Sequence, residues 1–172
     1  MADSLAKQTI AAFQTMLGGI SKANGYNFDI EGNVLRKKIL FDGRVPDNLG
    51  ISQDLTLTVF SELQQKRIAG MNTGSSQKPS LQSGMLISIQ GLTNGVYPNE
   101  GDAGLDVEDD IIECIRAQVV AGNGKLGAAL GIPGLRIDPE EDIESTILYP
   151  MPGTSDLTTG AQVNIAVSFR RT

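Results

Sequence analysis

The chain contains no histidine and no tryptophan, and its 172 residues include a single cysteine, Cys114. Without histidine it lacks the commonest general base, proton shuttle and metal ligand, so any chemistry falls to carboxylates, lysines, tyrosines and one thiol. With one cysteine no disulfide can form within the chain, and nothing calls for an oxidising compartment. No apolar run approaches the roughly 20 residues of a helical membrane span, and the opening MADSLAKQTIAAF has no signal-peptide core. A soluble, unexported protein is expected. Basic charge is also scarce: 14 Lys and Arg against 20 Asp and Glu give a net charge of -6, which disfavours binding to duplex DNA through its phosphates.

What the chain does have is enough apolar residue, 40%, to bury one core without metals or disulfides, so residues 1–172 are read as one domain. Ser4 can cap a helix in which Ile10, Phe13, Leu17 and Ile20 recur every three or four residues. The pattern predicts a helix over 4–23, with a stop at 17 as the alternative because Gly18-Gly19 interrupts it. Residues 33–41 read as a basic, half-exposed strand, and Pro46 to Gly50 as a turn-rich connection. Leu55, Leu57, Val59 and Ser61 alternate with Thr56, Thr58, Phe60 and Glu62, and 85–92 alternates likewise, so the two predict a long hairpin.

Between them, residues 63–84 are polar and rich in Gly, Ser and Thr, which predicts a mobile loop too poor in apolar groups to offset its own ordering entropy. A second helix is expected from Asp106 to Ala121, with its buried stripe at Ile111, Ile112, Ile115 and Val119. A flexible Gly-rich segment then runs to about 134, followed by strands over 143–149 and 161–170. The order gives an α+β domain: a mixed or antiparallel sheet of about five strands packed against two helices.

The motifs argue for little chemistry. Gly122-Asn123-Gly124-Lys125-Leu126-Gly127 matches GxGxxG, but it follows a helix where a dinucleotide site needs a strand, and it reads as a helix C-cap. Asp102, Asp106, Glu108, Asp109, Asp110 and Glu113 lack the spacing of a calcium loop and read as a solvated helix start matched to the helix dipole. Cys114 lies beside the apolar stripe, where an inert core thiol is expected. No catalytic, metal or cofactor site is assigned. Arg36, Lys37 and Lys38, with Lys66 and Arg67 at the base of the polar loop, are the candidate subunit-contact residues, best matched by an acidic neighbour.

Several segments in fixed order carry a resemblance: Ile20 to Tyr26 followed by Val34-Leu35-Arg36, then Asp110 to Val119 followed by glycines, Tyr149 to Gly153, and Gly160 to Arg171. In these the chain resembles the tail terminator proteins of long-tailed bacteriophages over nearly its whole length. The resemblance implies an α+β subunit of a hexameric ring that caps the tail tube, stops its polymerisation and presents a surface for head joining. It further implies contacts with the major tail tube protein, a neck or head-completion protein and, in a contractile tail, the sheath. Genomic DNA would pass through the lumen without specific binding. The place implied is the head-proximal end of the tail in the virion, after assembly in the bacterial cytoplasm, and the polar 63–84 excursion is longer than such a family leads one to expect. The competing readings are another neck or tail-completion connector, a carboxylate-dependent hydrolase built on the acidic cluster, and a small-ligand binding domain.

Overall fold

The computed structural model describes residues 4–30, 32–39, 51, 54–69, 80–94, 102–137, 143–150 and 158–170. Among these, the elements in chain order are α1 (Leu5–Leu17), β1 (Thr56–Ala69), β2 (Ser80–Thr93), α2 (Asp102–Ala121), α3 (Leu126–Ala129), β3 (Leu135–Arg136), β4 (Ile143–Leu148) and β5 (Thr159–Arg170). The strands form one antiparallel sheet in the order β1-β2-β5-β3, and β4 also pairs with β5. The fold is α+β, as the element order implies.

Helix α1 begins where Ser4 Oγ accepts from Lys7 N at 3.4 Å, and it ends at Gly18-Gly19, so the shorter of the two readings holds. A glycine pair costs the helix more than the one further apolar position, Ile20, could return from within it. Ile20 is buried all the same, on the turn that follows. Of the residues read as a strand over 33–41, the described part makes one isolated bridge, Leu35 with Thr58, preceded by another at Ile30 with Leu55. Beyond Leu35 this strap leaves the edge of β1 and crosses the sheet, where Ile39 N donates to Gln90 Oε1 at 3.0 Å. Residues 40–50, including the turn read at Pro46 to Gly50, lie outside the described residues.

The hairpin is longer than the alternation predicts. Residues 63–69 and 80–84, read as part of the mobile loop over 63–84, are instead paired strand, from Leu63 opposite Leu86 to Ala69 opposite Ser80. Backbone ladder bonds hold such an arm without an apolar stripe, so its polar composition hides it. Each arm is 14 residues, about 45 Å at the usual strand rise. The loop tip, 70–79, lies outside the described residues.

Helix α2 starts at Asp102, a turn before the capping position read at Asp106. Ala103 and Gly104 are buried there, and a Cβ on Gly104 would stand 2.8 Å from Gly160 O and 2.7 Å from Ile147 Cγ2. Glycine at this point permits close approach of helix and sheet. The segment after α2 is not the flexible run its glycines suggest: Leu126, Ile132 and Leu135 are buried in the core beneath α2 and β5.

The two long helices, α1 and α2, lie on one face of the sheet. Leu57 and Val59 of β1, Met85, Ile87 and Ile89 of β2, and Ala161, Val163, Ile165, Val167 and Phe169 of β5 meet Phe13, Leu17, Val107, Ile111 and Ile115 there. Each such burial contributes about 1.5–3 kcal/mol. The opposite face is polar yet largely buried: Thr58 and Ser88 are fully buried and Gln90 nearly so, and the strap reaches this face at Gln90 through Ile39 N.

Candidate functional site

Three features stand out: a carboxylate clamp on α2, an amide ladder on the strap side of the sheet, and the basic strap itself.

The clamp is built on Asp110, which is 2% exposed although it was read as part of a solvated helix start. It falls three residues after Val107 and four before Cys114, and so on the buried flank of the helix. That spacing was the signal in the sequence. Its Oδ1 accepts from Asn27 N at 2.9 Å and from Asn27 Nδ2 at 3.0 Å, while Oδ2 accepts from Phe28 N at 3.0 Å. Both oxygens are therefore occupied in holding the 25–28 turn against α2. Burial pushes the Asp110 carboxyl above its usual range, a shift the three N–H donors oppose.

Beside it, Cys114 Sγ lies 3.5 Å from Met16 O, and burial pushes its thiol up to about 11. Tyr26, half-buried against Cys114, is raised by burial to about 12. A protonated, enclosed thiol is a poor nucleophile, so Cys114 sits as the core residue its position in the sequence suggested. An aromatic disulfide reagent is expected to leave Cys114 unlabelled in the native protein at pH 8 and to label it fully in urea. Fast native labelling would contradict this placement. Because both acids hold their protons more tightly when folded, stability should be intact below pH 9 and fall as pH rises through the raised values of about 11 and 12. Cys114→Ala should flatten the start of that fall.

A shallow cavity of about 470 Å³ lies over the clamp, lined by Asn24 to Asn27 and by Asp109, Asp110, Glu113 and Ala117. Of its carboxylates, Asp110 is engaged in the clamp, Asp109 is exposed, and Glu113 pairs with Arg116 at 2.7 Å on the surface; outside the cavity, Glu108 accepts from Ser145 Oγ. Among the described residues, no three His, Cys, Asp or Glu side chains are placed to hold one metal ion.

The literal GxGxxG closes α2. Gly122 N donates to Gln118 O at 2.9 Å, Gly124 N donates to Val119 O at 2.8 Å, and Asn123 and Gly124 take positive φ values of 52° and 78°. That is a left-handed helix stop, with no strand before it. A cavity of about 780 Å³ beyond it is walled by the Gly124–Ile137 loop.

On the strap side, Ser88 Oγ donates to Asn164 Oδ1 at 2.7 Å, Gln162 Nε2 to the same oxygen at 3.1 Å, and Gln90 Nε2 to Gln162 Oε1 at 3.0 Å. Gln90 Oε1 then receives the strap through Ile39 N. Four uncharged side chains thus fix where the strap lies, a role that alternation alone does not reveal.

The structure separates the five candidate contact residues. Arg36, Lys37 and Lys38 are exposed on the strap, with Lys38 Nζ 5.5 Å from the centre of the Phe60 ring. Lys66 and Arg67 lie on β1 opposite Ser83 and Gln82, six and seven positions past Phe60, which is about 20 Å away along the strand. The two sets stand apart in the sheet. Compared with known proteins, the chain matches no family model and no curated protein.

Proposed function

We propose that this chain is a structural virion protein that forms a ring, of six copies by the family's pattern, on the end of a phage tail tube, ends its polymerisation and offers the surface for head joining. The observation that carries the reading is where the resembling segments fall. Ile20 is buried and Tyr26 and Asn27 form the clamped turn, Asp110 to Val119 carries the buried Asp110, Ile111, Cys114 and Ile115 of α2, and Gly160 to Arg170 lies in β5, the strand that pairs with β2, β3 and β4. Much of the resemblance thus lies in residues that set the shape of the subunit, while Arg36 and Tyr149 are exposed, as suits a protein that works through its surfaces.

Two further features support it. The titratable groups of the clamp are engaged in holding structure and leave no paired acid and base facing a cleft. The net charge of -6 suits a ring through which DNA must pass without adhering. Termination needs two unlike ring faces, one complementary to tube subunits and one that refuses more of them.

Deleting the gene from its phage is expected to give tails far longer than normal that carry no heads. Normal-length tails without heads would point to a neck protein instead, and unimpaired infectivity would remove the reading altogether.

A further inference from the structure

We propose that copies of this chain associate front to back, the basic strap of one copy seated on the acidic outer face of α2 of the next. The proposal takes its partner, a second copy, from the assembly reading above; the surfaces come from the fold.

The argument begins with placement. Val107, Ile111 and Ile115 turn one side of α2 to the sheet. Asp106, Asp109 and Glu113, spaced at three and four residues, share the side turned away from it. Glu113 is answered by Arg116, and Asp106 and Asp109 have no cationic partner among the described residues.

The strap lies on the other side of the sheet. Gln90, which receives Ile39 N, is paired with Thr58 and Gln162, and Phe60, beneath Lys38, is paired with Ser88; these positions alternate with the core-facing Leu57, Val59, Ile87 and Ile89. Arg36 and Lys37 lie between the edge bridge at Leu35 and the contact of Ile39 with Gln90, exposed where the strap rounds β1, with no acidic partner among the described residues. Helix α2 packs over β2, β4 and β5 on the core-facing side, so its outer face and the strap's crossing lie on opposite sides of the sheet.

Two unlike, complementary surfaces on opposite sides of one subunit make a heterologous interface, the kind that builds rings. Charge also decides the register. Copies that each carry -6 repel at long range, so they approach productively only where opposite local charges meet. The strap is anchored for this by the Ser88, Asn164, Gln162 and Gln90 ladder, so its cations are held on a fixed backbone and not on a free loop.

The test uses the full chain, with light scattering and sedimentation at low salt. The parent is expected to self-associate, and to do so at least about tenfold more weakly when salt is raised from about 50 mM to about 500 mM. Arg36→Glu with Lys37→Glu should weaken association at least about tenfold, and so should Asp106→Lys with Asp109→Lys, each with an unchanged circular dichroism spectrum. An equimolar mixture of the two double variants should assemble again, because acidic strap then meets basic helix and basic strap meets acidic helix. A chain bearing all four changes should assemble like the parent for the same reason. If the parent assembles and the double variants do so equally well, this interface is wrong while the ring reading stands. If the parent stays monomeric at low salt and high concentration, both fall.

Discussion

Gly160→Ala is expected to leave no folded protein. A Cβ at this position would fall on the carbonyl oxygen of Gly91 and within 3.0 Å of Leu92 Cδ2. The first obstacle is backbone in the neighbouring strand and cannot rotate aside. Gly160 also lies under the start of α2, where Gly104 approaches its carbonyl, and it pairs with Leu92 on one side and Leu148 on the other. Relief would therefore require moving β2, β4 or α2 together with β5, at a cost expected above about 4 kcal/mol. Against a total stability of about 5–15 kcal/mol for an ordinary domain, that loss is enough to send the chain to inclusion bodies.

Two companion substitutions make the comparison decisive. At Gly91 the added atom meets side chains, Val107 Cγ1 at 2.5 Å, Leu57 Cδ2 at 3.1 Å and Ile111 Cδ1 at 3.2 Å, which can shift in part; about 1–3 kcal/mol is expected. At Gly84, in the same strand, the nearest atom is Val167 O at 3.9 Å, so alanine should be neutral or gain up to about 1 kcal/mol from the lower freedom of the unfolded chain. Soluble yield and urea midpoints give the ranking. A Gly160→Ala protein with a midpoint near that of the parent would overturn the packing described for β5.

Those glycines mark the boundary of what local pattern conveys. Alternation along 54–62, 85–92 and 161–170 shows which residues face the core, because successive side chains of a strand point to opposite faces and the apolar ones share one of them. It does not show that Gly91, Gly104 and Gly160 meet, since that contact joins three segments far apart in sequence. The hairpin arms escape notice for the opposite reason: Gln64, Gln65, Lys66 and Arg67 have no apolar period to read, and their pairing rests on backbone groups that every residue carries. The strap reads in the sequence as a basic, half-exposed strand, whereas its course across the sheet depends on Gln90, some fifty residues away. Asp110 was readable in principle by its place in the helical period, yet composition grouped it with the exposed acids around it.

Asp110→Ala should be the most damaging change at a polar side chain among those described. It removes the acceptors of Asn27 N, Asn27 Nδ2 and Phe28 N in one step, and Phe28 N is buried. Leaving a buried donor unpaired costs about 1–3 kcal/mol, so the two backbone donors together should lose about 2–4 kcal/mol at pH 7, with part of the loss offset because a desolvated charge is removed as well. The more local effect is release of the 25–28 turn from α2, seen as faster amide exchange at Asn27 and Phe28 than in the rest of the core. Acidity supplies the sign that separates burial from hydrogen bonding. The folded carboxyl is raised above its ordinary 3.8, so the parent gains stability from protonation at low pH and loses it as pH rises through the folded value. The variant lacks that dependence. The gap in stability between parent and Asp110→Ala should therefore be wider near pH 4 than at pH 7. A gap that instead grows with rising pH would mean that the three N–H groups outweigh burial and that the carboxylate is the form the fold prefers.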